Sequence, residues 1–163
     1  MDDLPASTHV TVHGHALEVL HLPGATDLAP LVFLHEGLGS VSMWGQRQRY
    51  WPAELCRATG RAGWVYARRG YGRSAPIADV RGSGRHGPDY MHREAQHTLP
   101  ALLDALGVQR PVLIGHSDGA TIALLHAAEH PVTACVAMAP HVFVEEVAIR
   151  AIEQARQAYL HGG

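Results

Sequence analysis

The sequence predicts an α/β fold, a mostly parallel sheet with helices on both faces, and three observations predict it. Short apolar runs recur at Leu31-Val32-Phe33-Leu34, Trp64-Val65-Tyr66-Ala67, Pro111-Val112-Leu113-Ile114 and residues 133–139, as strands buried on both faces should read. Between them lie segments whose apolar residues step by three and four, the helical period. Each run ends in a turn rich in glycine or polar residues. Strands that alternate with helices require right-handed crossovers, and these generate a parallel sheet covered on both sides. At 163 residues with 47% hydrophobic content, the chain has the size of one domain and enough apolar matter for a core. It shows neither an internal repeat nor a second domain.

Taken in order, residues 8–22 alternate through Val10, Val12, Leu17 and Val19 around His13-Gly14-His15, which reads as an opening hairpin. Pro30 precedes the first central strand, which runs into His35-Glu36-Gly37-Leu38-Gly39-Ser40. Residues 44–59 are expected to be helical, with Pro52 marking a start or a kink and Gly60 the stop. The strand from Trp64 enters Arg68-Arg69-Gly70-Tyr71-Gly72-Arg73-Ser74, and a polar loop over residues 79–87 leads to the next helix. That helix, residues 88–106, carries Ala95, Leu99, Leu102, Leu103 and Leu106 on one stripe and stops at Gly107. Pro100 conflicts with the pattern, because it removes one donor and should kink the helix unless a neighbour adapts. Strand 111–114 passes without a linker through Gly115-His116-Ser117-Asp118-Gly119 into a helix over 120–130. After strand 133–139 and Pro140-His141, a last helix bears Val144, Val147, Ala148, Ala151, Ile152, Ala155 and Tyr159 at helical spacing.

Several function classes are disfavoured. A net charge of -2, with scattered arginines, offers no basic stripe for nucleic acid. No apolar run approaches the roughly 20 residues that span a bilayer, and Met1-Asp2-Asp3-Leu4-Pro5 lacks the basic start and apolar stretch of a secretory leader. No membrane role and a cytoplasmic address are therefore expected. Cys56 and Cys135 sit in apolar elements without Cys-x-x-Cys spacing, as buried structural thiols do.

The chemistry concentrates at Ser117. A serine hydroxyl becomes a nucleophile when a tight strand-to-helix turn holds it in the open and a base can reach it. Gly115 and Gly119 leave room where side chains would strike the neighbouring strand and helix, and a strained backbone at Ser117 would lift the hydroxyl. The same turn puts the Asp118 N–H at a helix N-terminus, where it can stabilise developing negative charge. The loop after residues 31–34 offers a second donor, for which Gly37 is the candidate. In an open parallel sheet these loops, with Gly70–Ser74 and Pro140–Val142, gather at the carboxyl edge of the strands.

The loop at His35 to Ser40, the Arg69-Gly70-Tyr71-Gly72-Arg73-Ser74 run and the turn at Ser117 together resemble the α/β-hydrolase superfamily. The likeness is to the branch of proline iminopeptidases, esterases, haloperoxidase-like enzymes and carbon-carbon bond hydrolases, and it covers most of the chain. The resemblance implies an eight-stranded sheet with a cap after the sixth strand. On that alignment residues 1–163 are the N-terminal portion of one domain, residues 133–139 form the sixth strand, and the helix from about 144 begins the cap or leads to it; the C-terminal strands and cap are lacking. The family supplies its acid after the seventh strand and its base histidine after the eighth, so both would be absent and activity weak or lost. Ester or related carbonyl hydrolysis of a small-molecule substrate is implied, without a cofactor.

Other groups fit these roles less well. Glu145 and Glu146 follow the sixth strand but read better as solvated carboxylates at a helix start. Of 13 histidines, His35 resembles the family's structural loop histidine, His116 should point away from the Ser117 hydroxyl, and His161 lies in a terminal tail. His141, at the end of a strand on the active edge, is the least implausible local base. His13 with His15, and His126 with His130, have spacings that share a strand or helix face, yet no third metal ligand accompanies either pair, and no metal is expected. A dinucleotide-binding oxidoreductase, suggested by Gly37-Leu38-Gly39, lacks the third glycine and the later acid. A non-catalytic binding module that keeps the pocket remains the alternative. Finally, residues 133–139 are apolar on both faces, so ending the sheet there would expose an edge open to self-association.

Overall fold

The computed structural model describes residues 4–46 and 49–162. Met1, Asp2 and Asp3, used above to judge the leader, lie outside the described residues, as does the side chain of Tyr159. The opening hairpin forms as β1 (Thr8–Val12) and β2 (His15–Leu22). His13 and Gly14 turn it with φ of 48° and 77°, two left-handed residues in succession, which matches the twist of the flanking strands. His13 therefore belongs to the turn, and the expectation that it shares a strand face with His15 is corrected: its Nε2–H meets the His97 carbonyl at 3.2 Å.

β3 (Leu31–Leu34) is buried along its whole length. Its two faces divide by the two-residue strand period. Leu31 and Phe33 pack with Leu20, Leu22, Val65 and Cys56 on the side covered by the first helix, while Val32 and Leu34 pack with Leu99, Leu102, Ile122 and Ala123 on the other. The helix expected over 44–59 starts later than its composition suggested. Ser42–Trp44 makes one 3₁₀ turn, β4 (Gly45–Gln46) and β5 (Arg49–Tyr50) pair briefly, and α1 occupies Trp51–Thr59. Pro52 sits in the first turn, where a missing N–H costs nothing, so it marks a start and not a kink. Gly60 closes the helix at φ 70°. Since Gly37-Leu38-Gly39 leads into a 3₁₀ turn and not into a helix, it lacks the helix N-terminus a dinucleotide phosphate needs.

β6 (Gly63–Tyr66) precedes a helix that changes pitch midway: α2 (Tyr90–Arg93), a π turn (Glu94–Thr98) and α3 (Leu99–Ala105). Pro100 accounts for the change. It cannot donate, and its ring crowds the carbonyl four residues back; ahead of it the Leu99 N–H reaches five residues back, to Glu94 O. The proline is absorbed as a π bulge.

β7 (Val112–His116), α4 (Asp118–Glu129), β8 (Ala134–Met138) and α5 (Glu146–Gly162) complete the described chain. The six-stranded sheet runs β1-β2-β6-β3-β7-β8, antiparallel through β1, β2 and β6 and parallel from β6 to β8. From β3 the chain crosses to β6 on one side, then back over β3 to β7 on the other. The strand order thus reverses between β3 and β7, and a crevice opens beyond their carboxyl ends. At the far side β8, the sixth strand of this sheet, is paired with β7, and Val136 is 47% exposed. The apolar side chains of Val147, Ile149, Ile152 and Leu160 on α5 are likewise exposed.

Candidate active site at Ser117

Both loops singled out in the sequence emerge at that crevice, since Leu34 and Gly115 are register partners at the ends of β3 and β7. Ser117 has φ 54° and ψ -118°, a conformation that costs a residue with a Cβ on the order of 1–3 kcal/mol. The strain is held in place by hydrogen bonds on both sides: the Ser117 N–H donates to Met138 O at 2.9 Å, and the Ser117 carbonyl accepts from Ala120 N–H at 3.0 Å and Thr121 N–H at 3.2 Å. The elbow glycines are required by close approach. A Cβ on Gly119 would lie 2.1 Å from Leu34 O, and one on Gly115 would lie 2.3 Å from Gly119 O; neither backbone atom can move aside.

The Ser117 side chain is half-buried and its Oγ lies 2.8 Å from His141 Nε2. This contact is built by the turn after β8. Ala139 takes φ 50°, which folds Pro140-His141 back toward α4, and Thr121 Oγ1 fixes the backbone there by accepting from His141 N–H at 2.8 Å and donating to His141 O at 3.0 Å. Asp118 Oδ1 stands 3.7 Å from the same imidazole nitrogen. Its other oxygen, Oδ2, accepts a hydrogen bond from the Tyr90 hydroxyl, and burial together with this carboxylate raises the phenol's pKa. A Cβ on Gly37 would sit 2.9 Å from Asp118 Oδ2, so the loop donor candidate packs directly on the elbow.

His35 is held as a neutral ring. Burial first, and the nearby Arg68 second, lower its pKa from 6.5 to about 3. The Arg68 N–H donates to His35 Nε2 at 3.1 Å, which leaves the ring proton on Nδ1 to meet Glu36 O at 2.6 Å. The loop of residues 70–74 does different work. Ser74 Oγ accepts from Glu18 N–H at 2.8 Å and donates to Ala67 O at 2.6 Å, while Arg73 N–H reaches Glu18 Oε2 at 2.8 Å; this loop ties β6 to β2.

Other candidates fall elsewhere. His116 is exposed, His161 meets Gln157 Oε1 at 3.1 Å on α5, and Glu146 pairs with Arg150 at 2.5 Å. His126 is buried, donates from Nδ1 to Ala95 O at 2.9 Å and stacks on His130, as a packed core histidine does. A cavity of about 820 Å³ beside α1 is lined by Leu20, Leu22, Val41, Tyr50 and Cys56. Ser117 is not among its lining residues, and burial pushes the Cys56 thiol up to about 11, the reverse of an activated nucleophile. The sequence offered His141 as the least implausible local base, but its approach to Ser117 needs the left-handed Ala139, and nothing in the sequence signalled the Tyr90–Asp118 contact between residues 28 apart.

A sequence profile of the α/β hydrolase fold matches residues 29–160. Among solved structures, a carboxylesterase of Nitrososphaera gargenis superposes with a TM-score of 0.70 at 21% identity over 96% of this chain and 54% of that one. A predicted CIB-like hydrolase from Thermoplasma acidophilum gives 0.65 at 18% identity, over 83% and 62% respectively. Epoxide Hydrolase A from Mycobacterium thermoresistibile gives 0.61 at 23%, over 80% and 38%. The chain thus spans less than two thirds of each of these relatives. A search of curated proteins finds no match.

Proposed function

Because the chain belongs to the α/β hydrolase fold family, we propose that it is a hydrolase of ester or related carbonyl bonds in small molecules, with Ser117 as nucleophile. The observation that carries this reading is the strained Ser117 with its Oγ 2.8 Å from His141 Nε2. Oγ attacks the carbonyl carbon as its proton passes to Nε2, and the Asp118 carboxylate, 3.7 Å from that nitrogen, stabilises the imidazolium that forms. The N–H groups of Gly37 and Asp118 receive the oxyanion. Collapse of the tetrahedral species expels the alcohol with the proton from His141, and water repeats the cycle on the acyl-enzyme.

Turnover by this chain is weak on this reading. In a full triad the acid grips the second ring nitrogen and sets the tautomer, whereas Asp118 faces the nitrogen that Ser117 already uses. One observation favours the alternative, a binding module without chemistry: the Asp118 carboxylate packs against Gly37, where a negative charge opposes an oxyanion. A fluorophosphonate probe read by mass spectrometry separates the two. Labelling of Ser117 that disappears in Ser117→Ala and slows at least about tenfold in His141→Gln supports the hydrolase; no labelling of folded protein overturns it and leaves the binding module.

A further inference from the structure

Among the described residues Arg68 is the largest side chain to be almost wholly buried, 2% exposed, and burying a guanidinium is costly unless its donors are satisfied. Nε has no partner among the described residues, and the two Nη groups are directed at one loop. Nη1 donates to His35 O at 2.6 Å and Nη2 to Glu36 O at 2.8 Å, while the guanidinium carbon lies 5.0 Å from the Tyr71 ring centroid. The Glu36 carbonyl also accepts from His35 Nδ1–H at 2.6 Å and from Gly39 N–H at 3.1 Å. Three donors on one oxygen leave that peptide no freedom to rotate.

The consequence follows from peptide geometry. A trans peptide is planar, and its C=O and N–H point in opposite directions; no cis bond interrupts this among the described residues. Pinning the Glu36 oxygen toward Arg68 therefore turns the Gly37 N–H away from Arg68. A cationic donor on the carbonyl also polarises the amide, which makes its N–H a stronger donor. We propose that Arg68 is a positioning residue: by forking onto the carbonyls of His35 and Glu36 it orients and polarises the peptide whose Gly37 N–H receives the oxyanion. This inference rests on the reading of Ser117 as nucleophile.

The test uses the full chain and an alkyl fluorophosphonate. In that reaction the Ser117 Oγ–P bond forms, the P–F bond breaks, fluoride leaves and the hydroxyl proton passes to the base, so the phosphoryl oxygen occupies the oxyanion position. Loss of a donor at such a site typically costs about 100- to 1000-fold; Arg68→Met, which misaims the donor without deleting it, is expected to slow labelling by roughly 10- to 100-fold. The ³¹P resonance of its adduct should move toward that of the denatured adduct, a change that general loosening far from the phosphoryl group does not produce. Arg68→Lys keeps the charge but reaches one carbonyl, and should fall between wild type and Arg68→Met. It also stands in if the methionine variant does not fold. Wild-type labelling rates and an unmoved ³¹P resonance in a folded Arg68 variant overturn the inference while leaving Ser117 as nucleophile. Failure of the wild-type chain to label at Ser117 overturns both.

Discussion

Acid should destabilise this fold through its buried histidines, and the effect of His35 can be worked out from its shift. His35 is 2% exposed, and its pKa falls from 6.5 to about 3 on folding. Between those values the unfolded chain takes up a proton that the folded chain refuses, so stability falls as the pH falls through the window. Going from pH 7 to pH 5, the unfolded state gains binding free energy of RT ln of its protonation partition, while the folded state gains almost none; the difference is about 2 kcal/mol. His126, also buried with a lowered pKa, acts in the same direction. The perturbation is His35→Gln, whose side chain can still donate to Glu36 O and accept from Arg68 N–H but cannot titrate. Urea melts at pH 7, 6 and 5 should show a loss in wild type that exceeds the loss in His35→Gln by about 2 kcal/mol. In wild type the His35 imidazole resonances should stay fixed from pH 8 to pH 5. Equal losses in the two proteins, or a His35 resonance titrating near its ordinary value, would refute the reasoning.

Two further outcomes follow from backbone geometry. An ordinary Ala→Gly change destabilises, yet at φ 54° and ψ -118° the glycine avoids strain on the order of 1–3 kcal/mol; Ser117→Gly should melt higher than Ser117→Ala by about 1 kcal/mol, and the usual order would show that the elbow is relaxed. The exposed edge of β8 should drive self-association: sedimentation of wild type should reveal concentration-dependent assembly that Val136→Lys reduces, and an ideal monomer at all concentrations would remove the edge from consideration.

The sequence by itself determined the fold class, the strands and the elbow, because each is written in local chemistry. Four apolar runs had to be strands, though the last, β8, is an edge with no fully buried residue because nothing among the described residues covers its outer side; Gly115 and Gly119 had to flank a turn too tight for a Cβ, and His13-Gly14 had to reverse the hairpin. Long-range fit decided the rest. Pro100 looked like a defect in its helix until the π turn before it supplied a geometry that no residue-by-residue propensity contains. The helix expected from residue 44 began at Trp51 because Gly45–Gln46 and Arg49–Tyr50 found a short strand pairing instead. The tight turn at Ser117 was legible, but the approach of His141 to it depends on a left-handed Ala139 and a Thr121 anchor, and the burial of Arg68 goes with three donors converging on one carbonyl. A periodic pattern records which face of an element is buried; it holds no information about which polar atoms meet once the elements have packed, since those distances are set by tertiary contacts alone.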